Sequence, residues 1–231
     1  EIRNQPLELY HLENNPEVSF VLGNAPFGPR GDIKLRNADD PKEKNLDRYF
    51  LKRCLMQIKS GGMMCLQVHS GVFHNPTNRD FRLKLMLLGK FMGAVRLPNT
   101  SYAHTGSNFA SPDILIFQRH DEPFKKALQR VFHSNLTEEE ITTLLTACGL
   151  MNDAWLNGAK KYYIANRRHM LGEEVEIPAR GRTTRGELRA EILDEIWSKF
   201  KFEEYPEVNA EPLNSELIKG TEEKKPATDR M

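Results

Sequence analysis

The 231-residue chain is poor in cysteine, carries almost no net charge and lacks long apolar runs. Its three cysteines, Cys54, Cys65 and Cys148, lie in apolar segments without metal-ligand spacing, which argues against a zinc site. They read as reduced, buried thiols of a cytoplasmic protein. No stretch approaches the length that spans a bilayer, and the first residues lack the basic-then-apolar order of a secretory signal, so no membrane partner is expected. A formal charge of +1 neither demands nor excludes nucleic acid, because basic residues can gather on one face. The chain opens on Glu1 and is expected to be processed, truncated or a piece of something longer.

With 39% hydrophobic and 28% charged residues, the sequence can bury one core, or one domain plus an extension. Residues 1–16, polar and holding Pro6 and Pro16, form an irregular lead-in. From 17 to 120 the pattern alternates. Val18–Leu22 is a short apolar run, and apolar residues then recur at helical spacing from Lys42 to Ile58. Lys59-Ser60-Gly61-Gly62 reads as a glycine stop before a strand at Met63–His69. A helix over Asn78–Lys90 precedes strands at Phe91–Leu97 and Asp113–Gln118, close enough to be antiparallel neighbours. The fold class this implies is α/β, a partial Rossmann-like fold. Residues 121–205 read as a mainly helical extension, with a capping box at Thr137/Glu140 and a helix from about Arg185 to Phe200. Residues 206–231, rich in Pro, Glu and Lys, read as a flexible tail.

The segment Phe20-Val-Leu-Gly-Asn-Ala-Pro-Phe-Gly28 runs from an apolar strand into an Asn, a Pro and an aromatic. Such a combination suits a pocket for a flipped-out base: Asn24 and the following backbone carbonyls would accept from an exocyclic amine, and Phe27 would stack on the ring. Alone, Phe27 reads more readily as a core aromatic than as a base-stacking ring, and Asn24 also fits a turn residue. His69, His74 and His104 are spaced irregularly and read as structural or exposed. Asp113 reads as a strand-edge residue without a carboxylate partner. Arg167-Arg168 and the run Arg180, Arg182, Arg185 and Arg189 fit either phosphate contacts or a solvated basic face.

Beyond the tetrapeptide, an ordered series of segments resembles the N6-adenine DNA methyltransferases of the Asn-Pro-Pro-Phe/Tyr type, in their phage- and plasmid-borne, helicase-associated form. Asn24-Ala25-Pro26-Phe27 matches the motif with Ala25 in place of its first proline. Tyr49-Phe50, Lys59-Ser60-Gly61-Gly62, Gly93-Ala94-Val95-Arg96-Leu97-Pro98-Asn99, Thr105-Gly106 and Asp113–Gln118 follow in the family's order. Tyr162-Tyr163 through Met170-Leu171-Gly172-Glu173 resembles a later segment, from which Arg167-Arg168 depart, and the likeness runs over about residues 18–200. It implies the C-terminal half of a methyltransferase sheet, with Asn24, Ala25, Pro26 and Phe27 as the catalytic loop. Arg30, Thr105, Arg167, Arg168, Arg182 and Arg185 are the candidate DNA contacts.

In that family the glycine-rich loop that binds S-adenosylmethionine precedes the motif, but only 23 residues precede Asn24 here, fewer than one βαβ unit of about 30 residues. No Gly-x-Gly pair follows a strand-like run downstream. The cofactor is therefore expected only if a missing half completes the domain, and none for this chain alone. A half-sheet leaves an open edge, so a chain or segment that covers it is the expected partner, together with DNA. The alternative is a catalytically inactive methyltransferase-like assembly component, for example of a phage particle. The expected setting is a bacterial or phage-infected cytoplasm, or a virion.

Overall fold

The computed structural model describes residues 17–29, 43–101, 111–177, 181–186 and 190–219. Strand β1, Val18–Asn24, leads through helix α1, Leu46–Gln57, to strand β2, Ile58–His69. Helices α2 (Gly71–His74) and α3 (Arg79–Met86) lead to strand β3, Gly89–Arg96, and strand β4 spans Pro112–Arg119. The sheet order is β1-β2-β4-β3. β1 and β2 run parallel, whereas β4 is antiparallel to both β2 and β3. Parallel strands joined by a helix on one face, with one antiparallel strand inserted, make the partial Rossmann-like α/β arrangement expected.

The two faces of this sheet differ. On one, Met64, Leu66 and Val68 of β2 and Leu115 and Phe117 of β4 are buried under the helices, following the period of two that a half-buried strand imposes. Beyond β4 come α4 (Phe124–Phe132), α5 (Glu138–Ala147) and α6 (Asp153–Leu156), and α6 drives Trp155 into this core, stacked against both Phe73 and Phe91 at centroid distances of 5.0 and 4.9 Å. Its indole N–H donates to the Arg82 carbonyl at 2.9 Å, so the buried polar atom is satisfied. The region after residue 120 is thus locked into the same core as the sheet.

Among the described residues, the other face is covered at one side only. Helix α8, Ala190–Lys199, packs Ile196 against Val95 and Leu97, with Ile114, Leu193 and Phe200 around them. Phe200 lies so close to Gly93 that a Cβ there would come within 2.6 Å of its ring. At the β1 side, Phe20 and Leu22 are 55% and 74% exposed, and Met63 and Cys65 beside them are half-buried.

Several elements depart from the expected bounds. The Lys59–Gly62 stretch does not stop the chain before a strand. It lies inside β2 as an irregularity, since Val18 pairs with Ile58 and Phe20 already with Met63. Strands β5 (Glu173–Ile177) and β6 (Gly181–Arg185) pair antiparallel within the stretch expected to be mainly helical, so Arg185, the expected start of the last helix, instead ends a strand. Threonines at 183 and 184 favour a strand, and no apolar helical stripe extends that far back. The segment from 206 to 219, expected to be flexible, packs back. Leu213 and Ile218 are buried, Asn209 N–H donates to the Cys148 carbonyl at 3.0 Å, and α9, Glu216–Lys219, sits on α4, Phe124–Phe132. Two apolar side chains suffice to dock a segment that composition marks as polar.

At the opposite end of the sheet from Asn24, His120 is buried with its Nε2 at 2.7 Å from the Met86 carbonyl. Burial pushes its pKa down from 6.5 to about 3, outweighing the backbone hydrogen bond. A group depressed in this way is neutral in the folded protein and charges on unfolding. The folded state therefore keeps its full stability above about pH 6.5 and loses it as the pH falls toward 3. Between pH 7 and 5 the loss from this residue is about 2 kcal/mol. Urea denaturation at the two pH values checks this, and His120→Gln reduces the difference by most of that amount.

Candidate functional site

The site stands at the carboxyl ends of β1 and β2, where ligands of open α/β sheets gather. β1 ends at Asn24, whose register partner is Gln67, and the pairing extends one residue further through a hydrogen bond from Ala25 N–H to the Gln67 carbonyl at 2.9 Å. Ala25 is buried in the core, while Asn24 and Pro26 are exposed and Phe27 is half-buried. The loop then crosses the N-terminus of α1. Gly28, at φ +102°, turns it, its carbonyl accepts from Leu46 N–H at 3.0 Å, and Pro29 bridges Asn45. Nothing stands within 4 Å of a Cβ at Gly28, so the backbone angle rather than space calls for glycine there.

Sequence reasoning passed over two neighbours. His69, the last residue of β2, meets the Phe27 ring edge-on with centroids 5.8 Å apart. Its Nδ1 accepts from Gly71 N–H at 3.0 Å, which leaves Nε2 to carry the proton of the neutral ring. Asp47, in the first turn of α1, is buried, and its Oδ1 accepts from Arg48 N–H at 2.8 Å. Burial raises the Asp47 pKa, against that backbone N–H. The only cue in the sequence was that His69 ends a strand parallel to the motif strand. Spacing along the chain could not bring the two together.

Taken together, the exposed Asn24 amide, the backbone carbonyls beside it and the partly open Phe27 ring offer acceptors and a stacking face within four consecutive residues. Proline at position 25 would supply rigidity through its ring, and here the Ala25 hydrogen bond to Gln67 supplies it instead.

The candidate DNA contacts are not all brought here. Arg167 and Arg168 are exposed on the 3-10 turn Arg167–His169, which joins the end of β3 through a bridge between Arg96 and Met170. Arg185 is exposed at the end of β6. These arginines lie at the β3 side of the sheet, roughly 14 Å from β1 at about 4.8 Å per strand. Arg30, Thr105 and the Arg182 side chain lie outside the described residues, as do Arg180, Arg189 and His104.

Asp113 is not a lone strand-edge residue. It is fully buried opposite Arg96, whose Nη2 donates to Oδ2 at 3.0 Å while Nε donates to Oδ1. The Tyr163 hydroxyl also donates to Oδ1, at 2.8 Å. Burial, then the Asp113 carboxylate, raise the Tyr163 pKa well above its usual value, so it remains a donor. Among the described residues no group of His, Cys, Asp and Glu could hold a metal ion, and no helix is long and apolar enough to cross a membrane.

If the Ala25 hydrogen bond fixes the loop, restoring the family proline is harmful. Ala25→Pro removes that bond and adds ring atoms in a packed position, and is expected to lower stability by about 1–2 kcal/mol in urea denaturation. An unchanged midpoint would show that the bond contributes nothing.

No protein-family model matches the sequence. A relative, "Defense against restriction protein B" of Escherichia phage P1, is 25% identical over 181 residues, which is 78% of this chain but 8% of that protein. The chain therefore spans less than a tenth of the length of this relative. Among solved structures, the M protein of the type I restriction enzyme EcoKI is similar at TM-score 0.38 and 22% identity, over 46% of this chain and 22% of its own. A putative class I S-adenosylmethionine-dependent methyltransferase from Listeria monocytogenes gives TM-score 0.38 and 19% identity, over 48% and 34%. A chain of a type I restriction-modification system gives TM-score 0.43 and 16% identity, over 98% and 43%. These are loose overlaps.

Proposed function

We propose that the chain is the target-base-binding part of an S-adenosylmethionine-dependent, N6-adenine-specific DNA methyltransferase, and that a separate cofactor-binding half completes it along β1. One observation carries this reading: among the described residues, the strand that ends in Asn24-Ala25-Pro26-Phe27 is an edge strand of the sheet, with Phe20 and Leu22 exposed beside the motif. An edge strand with bare apolar side chains is a template for pairing.

In this reading the Asn24 side-chain carbonyl and the backbone carbonyl of Ala25 accept from the adenine amine, and two acceptors on one amine localise the nitrogen lone pair. Phe27 stacks on the flipped base, with His69 against its edge to hold the ring. No separate strong base is required. S-adenosylmethionine, bound by the completing half, supplies the methyl group. Arg167, Arg168 and Arg185 contact phosphates, and Arg30, Thr105 and Arg182 are assigned the same role from the sequence. The cell that holds such an enzyme is bacterial or phage-infected.

A second reading keeps the fold and drops the chemistry: a structural component descended from such an enzyme. The relation to a restriction-defence protein of phage P1, of which this chain matches a small part, favours a role inside a larger assembly.

The two separate in one experiment. The chain is combined with the cofactor-binding half of an N6-adenine methylase, and transfer of labelled methyl groups to DNA is followed. The first reading expects adenine methylation with both parts and none with either alone, and a loss on the order of a hundredfold for Asn24→Ala. Phe20→Asp with Leu22→Asp abolishes pairing while leaving the chain folded. A complex that forms without transfer establishes the second reading. Saturable one-to-one binding of S-adenosylmethionine by this chain alone overturns the need for a completing half.

A further inference from the structure

Beyond the carboxyl end of β3 lies a cavity of about 370 Å³, walled by the 3-10 turn Arg167–His169, the residues that follow it, and α8. It is separate from the base loop. Leu171 N–H donates to the Arg96 carbonyl at 2.9 Å, which fixes the cavity to the last residue of β3, three strands away from β1. Met170, Leu171, Ile192 and Ile196 give it apolar walls. Arg168, Glu195 and Lys199 stand at its rim, two cations and one anion, and Glu195 is paired with Lys199 at 2.8 Å.

One polar group in the wall is held with unusual care. His169 is buried, and its ring is stacked on Phe200 at 4.3 Å with an interplanar angle of 12°. Its Nδ1 lies 2.8 Å from the Tyr162 hydroxyl, and that hydroxyl accepts from Ala94 N–H at 3.0 Å. A phenol has one proton. With its oxygen already accepting from the β3 backbone, it donates to Nδ1, and Nε2 carries the N–H of the imidazole. The relay from strand to tyrosine to histidine thus sets both the orientation and the tautomer of a single donor. Burial also lowers the His169 pKa, which keeps the ring neutral.

We propose that this cavity binds one nucleoside monophosphate unit, either free or as part of single-stranded DNA. Aliphatic walls and a methionine suit the flat apolar faces of a base. A fixed N–H suits a ring nitrogen or carbonyl on the base edge. The flexible cations at the rim suit a phosphate, with Glu195 releasing Lys199 to it or accepting from the sugar hydroxyl. The volume is within the usual range for a small-molecule site. This inference does not require the target-base reading: Arg168, given a phosphate contact in that reading, is shared, but no residue of the Asn24–Phe27 loop lines the cavity.

The test is calorimetric titration of the full chain with deoxyadenosine monophosphate, a six-nucleotide deoxyadenosine oligomer, and inorganic phosphate. Saturable binding of the mononucleotide, weakened at least tenfold by Arg168→Glu, is expected. Arg168 is exposed, so this variant keeps the fold, and His169→Gln retains a side-chain donor as a milder second variant. Equal affinity for mononucleotide and oligomer identifies a free nucleotide site, whereas oligomer affinity more than tenfold higher identifies a unit of a strand. Phosphate binding as tightly as the nucleotide overturns the proposal in favour of a bare anion site. Absence of binding, or binding unmoved by Arg168→Glu, also overturns it. Asn24→Ala, run in parallel, reports on the base loop alone, so failure of either site is read independently.

Discussion

The buried pair of Arg96 and Asp113 is the interaction on which the sheet depends. It joins the last residue of β3 to the start of β4 by two hydrogen bonds across the register, and Tyr163 of α7, Ala159–Ala165, ties the later helices to the same carboxylate. The Arg96 guanidinium also lies over the Tyr163 ring at 5.1 Å. Such a group cannot lose one member cheaply, because a buried charge left alone costs about 3–5 kcal/mol. A one-residue slip of β3 against β4 would separate the charges and turn every side chain to the wrong face. The pair therefore specifies the antiparallel register that hydrophobic patterning alone leaves loose.

With that register set, the sheet divides its two faces unequally. The helical face is closed by aromatic packing around Trp155. The other is closed by α8 over β3 and β4, and is bare over β1. Both candidate sites are at the same end of the sheet. The base loop continues the bare edge, and the second cavity is built into the covered side. One candidate site stands at the end of β1, and the other is walled by the turn Arg167–His169 and α8.

Much of this was legible in the residues. The alternation of apolar runs gave the strands, and the antiparallel last pair followed from the short distance between Phe91–Leu97 and Asp113–Gln118. The loop at Asn24–Phe27 stood out as a candidate because the resemblance there rests on four consecutive residues. Contacts far apart in the chain were not. Phe27 with His69, Arg96 with Asp113 and Tyr162 with His169 each need the fold to bring them together. The β5–β6 hairpin escaped notice because its strands are short and charged, with little period-two pattern to mark them. The docked stretch from 206 to 219 escaped because two buried side chains scarcely alter a polar composition.

The extra bond at Ala25 has a further consequence. Among the described residues β1 takes its ladder from β2 alone, so its amides are expected to exchange with solvent ahead of those of β2 and β4. Since Ala25 prolongs that ladder into the loop, Asn24 is only as still as the edge strand that carries it. A neighbour that pairs with β1 would quiet the loop through the backbone without touching it, and the ordering of Asn24 would be coupled to assembly by entropy alone.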